Sequence, residues 1–200
     1  MSTRLILIRH GQTEWSVDRR YCGISDIDLN DSGRVQADRV SHRLKEERIQ
    51  KVYSSASKRA LNFAKIAFKD ISIEKLSNLR EINFGIFEGL KHEDIIKKHP
   101  DIYSAWLNDP FQTTIPKGDN LGDFEERIKE TLVEIISLNR DNTVGIVTHG
   151  GVIRMILKDL LHEKSIWSIK LPHLASITIV EYKDNKGEVL LFNDKGHLNE

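Results

Sequence analysis

Two stretches decide the fold: "RLILIRHG" at residues 4–11 and "TVGIVTHGG" at residues 143–151. Each is a short apolar run closed by a histidine and a glycine. Residues 5–8 carry four apolar side chains in succession, without alternation. Such a run reads as a strand buried on both faces, the signature of a parallel sheet covered by helices. It then stops at Arg9-His10-Gly11: a fixed cation, a titratable imidazole and a residue with no side chain. In open α/β sheets, ligands bind beyond the carboxyl ends of the strands. Charge at a strand end is therefore charge at a pocket.

The pattern outward from these runs supports the same class. Residues 30–48 place Ala37, Val40 and Leu44 at helical spacing, with Asn30 or Asp31 as the cap. "KVYSS" (51–55) reads as a second strand. A helix follows over 56–68, with Ala60, Ala64, Ala67 and Phe68 on one face and Ser54 or Ser55 as its expected cap. "ISIEKL" (71–76) alternates and reads as a strand. Residues 91–109 read as two short helices broken at Pro100. Phe124, Ile128, Leu132 and Ile135 form a helical stripe, and Val152, Ile156 and Leu160 another. The tail, "ASITIVEY" and "EVLLFN" around "KDNKG", reads as an antiparallel hairpin. Strands alternating with helices predict an α/β three-layer sandwich with a mostly parallel central sheet, helices on both faces and a C-terminal antiparallel hairpin. One domain over residues 1–200 is expected, with 85–122 as a substrate-side cap or loop region.

Composition narrows the function. Of 200 residues, 39% are hydrophobic and 30% charged, ordinary for a globular chain. Thirty Lys and Arg balance thirty Asp and Glu, so the basic excess of a nucleic-acid binder is missing. A single cysteine, Cys22, excludes an intramolecular disulfide. No stretch approaches the ~20 apolar residues of a membrane span. The expectation is a cytoplasmic protein, monomer or homodimer, with no nucleic-acid or membrane partner.

Three strand-to-helix junctions carry unusual residues: Arg9 and His10 after the first strand, Arg59 in the first turn after the second, and His149 before two glycines and a helix. Glycines let backbone N–H groups approach a ligand, and a helix N-terminus favours an anion. Two arginines and two histidines with such donors suit a compact, highly charged anion. Phosphoryl fits best, because the Arg fork matches its oxygens. A unit-charge contact near 4 Å is worth roughly 4 kcal/mol at an effective dielectric of 20. Phosphomonoester hydrolysis needs acceleration up to ~10²¹-fold, so several contacts are required.

"LIRHGQTEW", "YSSASKRALNFAK", "LREINFGIFEG" and "VTHGG", in this order, resemble the histidine phosphatase superfamily, also called phosphoglycerate mutase-like. "YCGISDIDLNDSGRVQA" is similar to its small phosphatases, including the alpha-ribazole, broad-specificity and fructose-bisphosphatase types. The resemblance implies that His10 is the nucleophile and becomes phosphorylated. It implies Arg9, Arg59 and His149 as phosphate ligands, joined by Ser16 and Gly150. Glu81 matches the general acid, with Glu14 as a competing candidate; Glu81 could instead pair with Arg80. Cys22 and Gly23 fall on the substrate side. The implied activity is a phosphomonoester hydrolase with a phosphohistidine intermediate, acting on a small phosphorylated metabolite without metal or other cofactor. Electrostatics support part of this independently: histidine attacks phosphorus only when neutral, and Arg9 and Arg59 should lower the pKa of His10.

Some positions depart from the family pattern. Ser16 stands where many members have Asn, Cys22 where some have Gln, and "PKGDN" (116–120) where "P-x-G-E-S" is common. Asp119 and Asn120 are expected to touch affinity and leaving-group selection. Tyr103, Trp106 and Phe111 are open between substrate contact and core.

Rival chemistries fit worse. A cysteine phosphatase needs Arg six positions after the Cys, and Cys22 is followed there by Asp28. "DIDLN" (26–30) lacks the apolar strand that should precede an aspartate nucleophile. His92 and His99 do not form a recognised zinc pair. A phosphoglycerate mutase is the main competitor within the family. Such enzymes usually carry an extra covering stretch between the Glu motif and the second His, and only 67 residues lie between Glu81 and His149 here. A more open pocket favours hydrolysis. A catalytically weak phospho-ligand-binding module is the third reading.

Overall fold

The computed structural model describes residues 2–198. A six-stranded sheet forms the centre, in the order β3-β2-β4-β1-β5-β6. Its strands are β1 (Ser2–Arg9), β2 (Lys51–Ser55), β3 (Ile73–Leu76), β4 (Thr143–Thr148), β5 (Ile177–Lys183) and β6 (Lys186–Asp194). β1, β2, β3 and β4 run parallel; β5 pairs antiparallel with both β1 and β6. The two motif strands are direct neighbours, with Arg9 opposite Thr148. His10 and His149, each one residue further, therefore emerge side by side.

The apolar run of β1 is explained by burial on both faces. Leu5 and Leu7 point into one core, with Leu121, Phe124, Ile128, Leu132 and Ile135 of α6 (Leu121–Leu138) and Val152, Ile153, Ile156 and Leu160 of α7 (Gly150–Leu160). Ile6 and Ile8 point into the other, with Ala37 and Val40 of α2 (Asp31–Arg43) and Ala60, Phe63, Ala64 and Ala67 of α3 (Lys58–Ala67). Each buried Val, Leu, Ile or Phe among them contributes about 1.5–3 kcal/mol by leaving water. The three layers and the mostly parallel sheet match the expected fold class.

Local signals hold at most boundaries. Asn30 caps α2 by accepting from the Gly33 amide at 2.9 Å. His99 closes α4 (His92–Lys98), and Pro100 opens α5 (Pro100–Asn108). The β5–β6 turn places Asp184 and Asn185 at φ 50° and 61°, the left-handed pair of a tight hairpin turn. One expected cap is corrected. The residue before α3 is Ser57, and Ser54 and Ser55 still belong to β2. Ser57 makes no capping bond; its hydroxyl meets His149 instead.

A single-turn helix that the pattern did not announce, α1 (Glu14–Val17), follows the first motif. Thr13 caps it through reciprocal bonds with Ser16. Residues 85–115 carry a small apolar cluster of their own, Phe87, Ile95, Tyr103, Trp106 and Ile115. Among the described residues, no helix is long and apolar enough to cross a membrane.

Candidate active site

A cleft of about 980 Å³ opens at the carboxyl ends of β1 and β4. Arg9, His10, Glu81, Gly150 and Gly151 line its floor, with Cys22, Ser16, Trp106 and Arg154 among the walls. Beneath the floor, Arg59 and His149 are buried, 1% exposed each.

His10 lies at the end of β1, 6% exposed. Its Nδ1 is 2.8 Å from the Gly11 carbonyl. A carbonyl only accepts, so Nδ1 carries the hydrogen and Nε2 keeps its lone pair. The His10 and His149 rings meet edge to face, with centroids 5.2 Å apart. Burial holds the pKa of His10 well below its ordinary 6.5, and the charges of Arg59 and Arg9 depress it further. The sequence anticipates the two arginines; the larger cause, burial, follows from the closed end of the strand.

His149 is placed by β4 and by the turn into α7. Its Nε2 lies 2.8 Å from Ser55 Oγ and 3.1 Å from Ser57 Oγ. With Nε2 accepting from one of these hydroxyls, the ring hydrogen sits on Nδ1, a buried nitrogen with no hydrogen-bond partner. Burial, then Arg59, keeps this ring neutral as well.

Arg59 is clamped by carbonyls. Its Nη1 donates to Ser25 O at 2.7 Å, and its Nη2 to Gly23 O at 2.7 Å and Cys22 O at 3.4 Å. Its Nε is buried and unpartnered. Arg9 donates Nη1 to Pro172 O at 2.6 Å and also has an unpartnered, buried Nε. Burial brings its pKa down to about 10. Buried donors without partners are rare in folded proteins. Here three of them, on Arg9, Arg59 and His149, gather around one imidazole, which suits an anion that would satisfy them.

Glu81 is 8% exposed, on the loop that follows β3. Its Oε2 accepts from the Gly151 amide at 2.9 Å and its Oε1 from its neighbour Ile82 at 3.2 Å. Burial raises its pKa above the ordinary carboxylate value, against these amides and the charges of Arg59 and Arg9. It forms no ion pair with Arg80, which donates to Ile24 O. Glu14, the competing carboxylate, is exposed on α1 and outside the cleft.

Other expected site residues serve the scaffold. The Ser16 hydroxyl donates to Thr13 O at 2.7 Å and accepts from Thr13 N at 2.9 Å, so its one proton is engaged by the α1 cap and not free for an anion. Cys22 lines the cleft with a thiol that burial keeps protonated. Gly23 is turned inward; a Cβ there would lie 1.9 Å from Ile82 O. Asp119 accepts from the Asn83 amide at 2.9 Å, and Asn120 caps α6. Neither lines the cleft, so any effect of theirs on leaving-group selection runs through the loop and helix start they hold. Of the three aromatics, Trp106 faces the cleft, Tyr103 is core, and Phe111 packs against the main core.

Sequence reasoning missed Ser55 and Ser57 as partners of His149, although the cluster "YSSAS" (53–57) at the end of β2 marked them. It also missed Glu88. That carboxylate accepts from the amides of Gly23, Ile24, Ser25 and Phe84 and from the Ser25 hydroxyl. It thereby holds the loop whose carbonyls clamp Arg59. Among the described residues, no group of three or more His, Cys, Asp and Glu side chains is arranged to hold a metal.

The sheet order and the histidine pair at its carboxyl end define a phosphoglycerate mutase-like α/β protein. The chain belongs to the histidine phosphatase superfamily (branch 1), whose profile matches residues 5–195. It is 34% identical to phosphoglycerate mutase-like protein 4 of Arabidopsis thaliana, over 98% of this chain and 87% of that one. It is also 34% identical to a metal-independent phosphoserine phosphatase of the same plant, over 98% and 83%. Among solved structures, the alpha-ribazole phosphatase of Shigella flexneri superposes with a TM-score of 0.86 at 26% identity, covering 96% of each chain.

Proposed function

We propose that this protein hydrolyses a small phosphomonoester through a phosphohistidine formed on His10. The observation that carries the reading is the His10 tautomer: Nδ1–H held by the Gly11 carbonyl, leaving Nε2 as a lone pair on a neutral ring. In the first step Nε2 attacks phosphorus. The N–P bond forms, the ester P–O bond breaks, and the Glu81 proton passes to the leaving oxygen. In the second step water attacks the phosphohistidine. The N–P bond breaks, the water proton returns to the Glu81 carboxylate, and inorganic phosphate leaves. A carboxyl with a raised pKa suits both halves of this cycle. Arg9, Arg59, His149 and the Gly150 amide at the start of α7 hold the phosphoryl oxygens, the electrostatic positioning on which phosphoryl transfer depends. The segment 85–122 supplies the leaving-group side, with Trp106, Leu107 and Leu121 on the cleft wall. No step calls for a metal, and turnover is expected to resist EDTA.

Relatives bear both phosphatase and mutase-like names, so the test must separate the two. Phosphorylated metabolites, including phosphoserine, alpha-ribazole phosphate and 3-phosphoglycerate, are screened for phosphate release, with 3-phosphoglycerate also followed for isomer interconversion. Acid-labile phosphate trapped on His10 by rapid quench, phosphate release, and loss of both in His10→Ala are the expected results. Isomerisation without net phosphate release would make it a mutase. Binding of phosphoesters with neither phosphohistidine nor turnover would make it a phospho-ligand module.

A further inference from the structure

Beyond the floor of the cleft stands a further cation, Arg154, on α7. Gly150, Gly151 and Arg154 all line the cleft, and residues three and four apart share a helix face. Glu81 is anchored to the Gly151 amide, and three residues of helix advance about 4.5 Å. Arg154 therefore stands beside the proposed proton donor, one turn away from the phosphate end. Burial lowers the pKa of Arg154, and an ionised Glu81 would oppose that shift.

The surroundings of Arg154 differ from those of two other arginines of the cleft. Arg20 pairs with Asp18 at 2.9 Å, and Arg9 is tied to Pro172. Among the described residues, Arg154 has neither an ion pair nor a carbonyl, and its buried Nε has no partner. It is positioned instead by an aromatic ring: its Cζ lies 5.4 Å from the Trp167 centroid. Trp167 in turn meets Trp106 edge-on at 6.2 Å. A guanidinium against an aromatic face is held in place while its in-plane N–H groups stay available as a fork. A half-buried cation without a counter-ion is costly, and a carboxylate is the planar anion that matches the fork.

Resting on the phosphatase reading above, we propose that Arg154, held by Trp167 beside Trp106, is a carboxylate subsite. The leaving group of the ester then carries a carboxylate two or three bonds from the ester oxygen. This selects acidic phosphomonoesters over neutral or cationic ones of the same size.

O-phosphoserine and O-phosphoethanolamine differ only in that carboxylate and provide the test. Wild-type kcat/KM is expected to favour phosphoserine at least tenfold. Arg154→Gln is expected to bring the ratio within threefold, and Arg154→Lys, a point charge in place of a fork, to leave it intermediate. Calorimetry on the unreactive His10→Ala protein reads the subsite without turnover: adding Arg154→Gln should weaken phosphoserine at least tenfold more than phosphoethanolamine. A wild-type ratio below threefold overturns the subsite, as does a variant that lowers both esters alike. Hydrolysis of p-nitrophenyl phosphate without carboxylate preference overturns the subsite alone. Failure of every ester to turn over overturns the phosphatase reading beneath it.

Discussion

The Gly151 amide donates to Glu81 Oε2 at 2.9 Å, tying the loop after β3 to the first turn of α7. The contact requires a residue without a side chain: a Cβ at Gly151 would lie 2.3 Å from Glu81 Oε1. One hydrogen bond thus fixes the carboxyl relative to the helix start that follows His149. Backbone amides favour the charged carboxylate, and burial favours the neutral acid. Burial is the larger influence, so the bond orients the carboxyl while its pKa stays above the ordinary carboxylate value.

Removing that acid should be felt in proportion to the leaving group's need for a proton. Glu81→Gln keeps an oxygen for the Gly151 amide but has no proton to give. Turnover of an alkyl ester should fall ~10²–10⁴-fold, the usual range for acid–base catalysis. Turnover of p-nitrophenyl phosphate, whose leaving group departs as an anion, should fall far less. Gly151→Ala should act in the same direction by displacing the carboxyl. Steady-state kinetics on the two esters check this; equal losses on both would remove Glu81 as the proton donor.

The pH profile follows from the two perturbed groups. His10 must be neutral to attack, and its pKa lies well below 6.5. Activity should therefore persist as the pH falls past the point where an ordinary histidine protonates. Glu81 must be protonated to donate, and its pKa lies above 4.5. Activity on alkyl esters should therefore decline on the alkaline side as that proton is lost. Measured as kcat/KM against pH, Glu81→Gln should lose the alkaline limb and keep the acid one. An imidazole-dependent acid limb at or above pH 6.5 would contradict a depressed His10.

Glu88 offers a prediction about Arg59, which it never touches. Its two oxygens receive five donors from residues 23–25 and 84. The carbonyls of Cys22, Gly23 and Ser25 then fix the Arg59 guanidinium. Glu88→Gln turns an NH₂ toward donors, leaving at least one half-buried amide unmatched. That costs about 1–3 kcal/mol, and should lower Tm by roughly 2–12 °C for a chain of this size. Inorganic phosphate, read as a competitive inhibitor well below Tm, should bind about tenfold more weakly. A lower Tm with unchanged phosphate affinity would confine Glu88 to stability.

What the chain displayed in advance was whatever is local. The run at residues 5–8, the two His-Gly junctions and Pro100 between α4 and α5 each carry their meaning within a few residues, and the structure follows them. The bonds that finish the site are not local. Glu88 reaches Gly23 across 65 residues and Ser55 reaches His149 across 94, and no periodicity marks such pairs. Ser16 shows the converse. The family resemblance implies a phosphate ligand at this position, but helix capping engages the same hydroxyl through its neighbour Thr13. Nothing local marks Arg154 within the helical stripe of Val152, Ile156 and Leu160, because its unpartnered state depends on what the rest of the fold leaves out.

The two buried histidines should also make stability depend on pH. Both have folded pKa values well below 6.5, with burial the first cause in each, while the unfolded chain titrates near 6.5. Above that pH both states hold the rings neutral, and the full stability is present. As pH falls from 6.5 toward the folded pKa values, the unfolded chain takes up protons that the folded one refuses. Each histidine then costs about 1.4 kcal/mol per pH unit, so the pair imposes a slope of roughly 2.7 kcal/mol per unit. Glu81 has the opposite sign: its folded pKa is raised, so its contribution is present at low pH and is lost as pH rises through that value. Urea unfolding between pH 7.5 and 5 should show the wild type losing stability steadily below 6.5. His10→Gln combined with His149→Gln should flatten the curve in that interval, and Glu81→Gln should steepen it. A wild-type midpoint constant from pH 7 to 5 would mean that the imidazoles accept protons in place, and the neutral nucleophile would lose its physical basis.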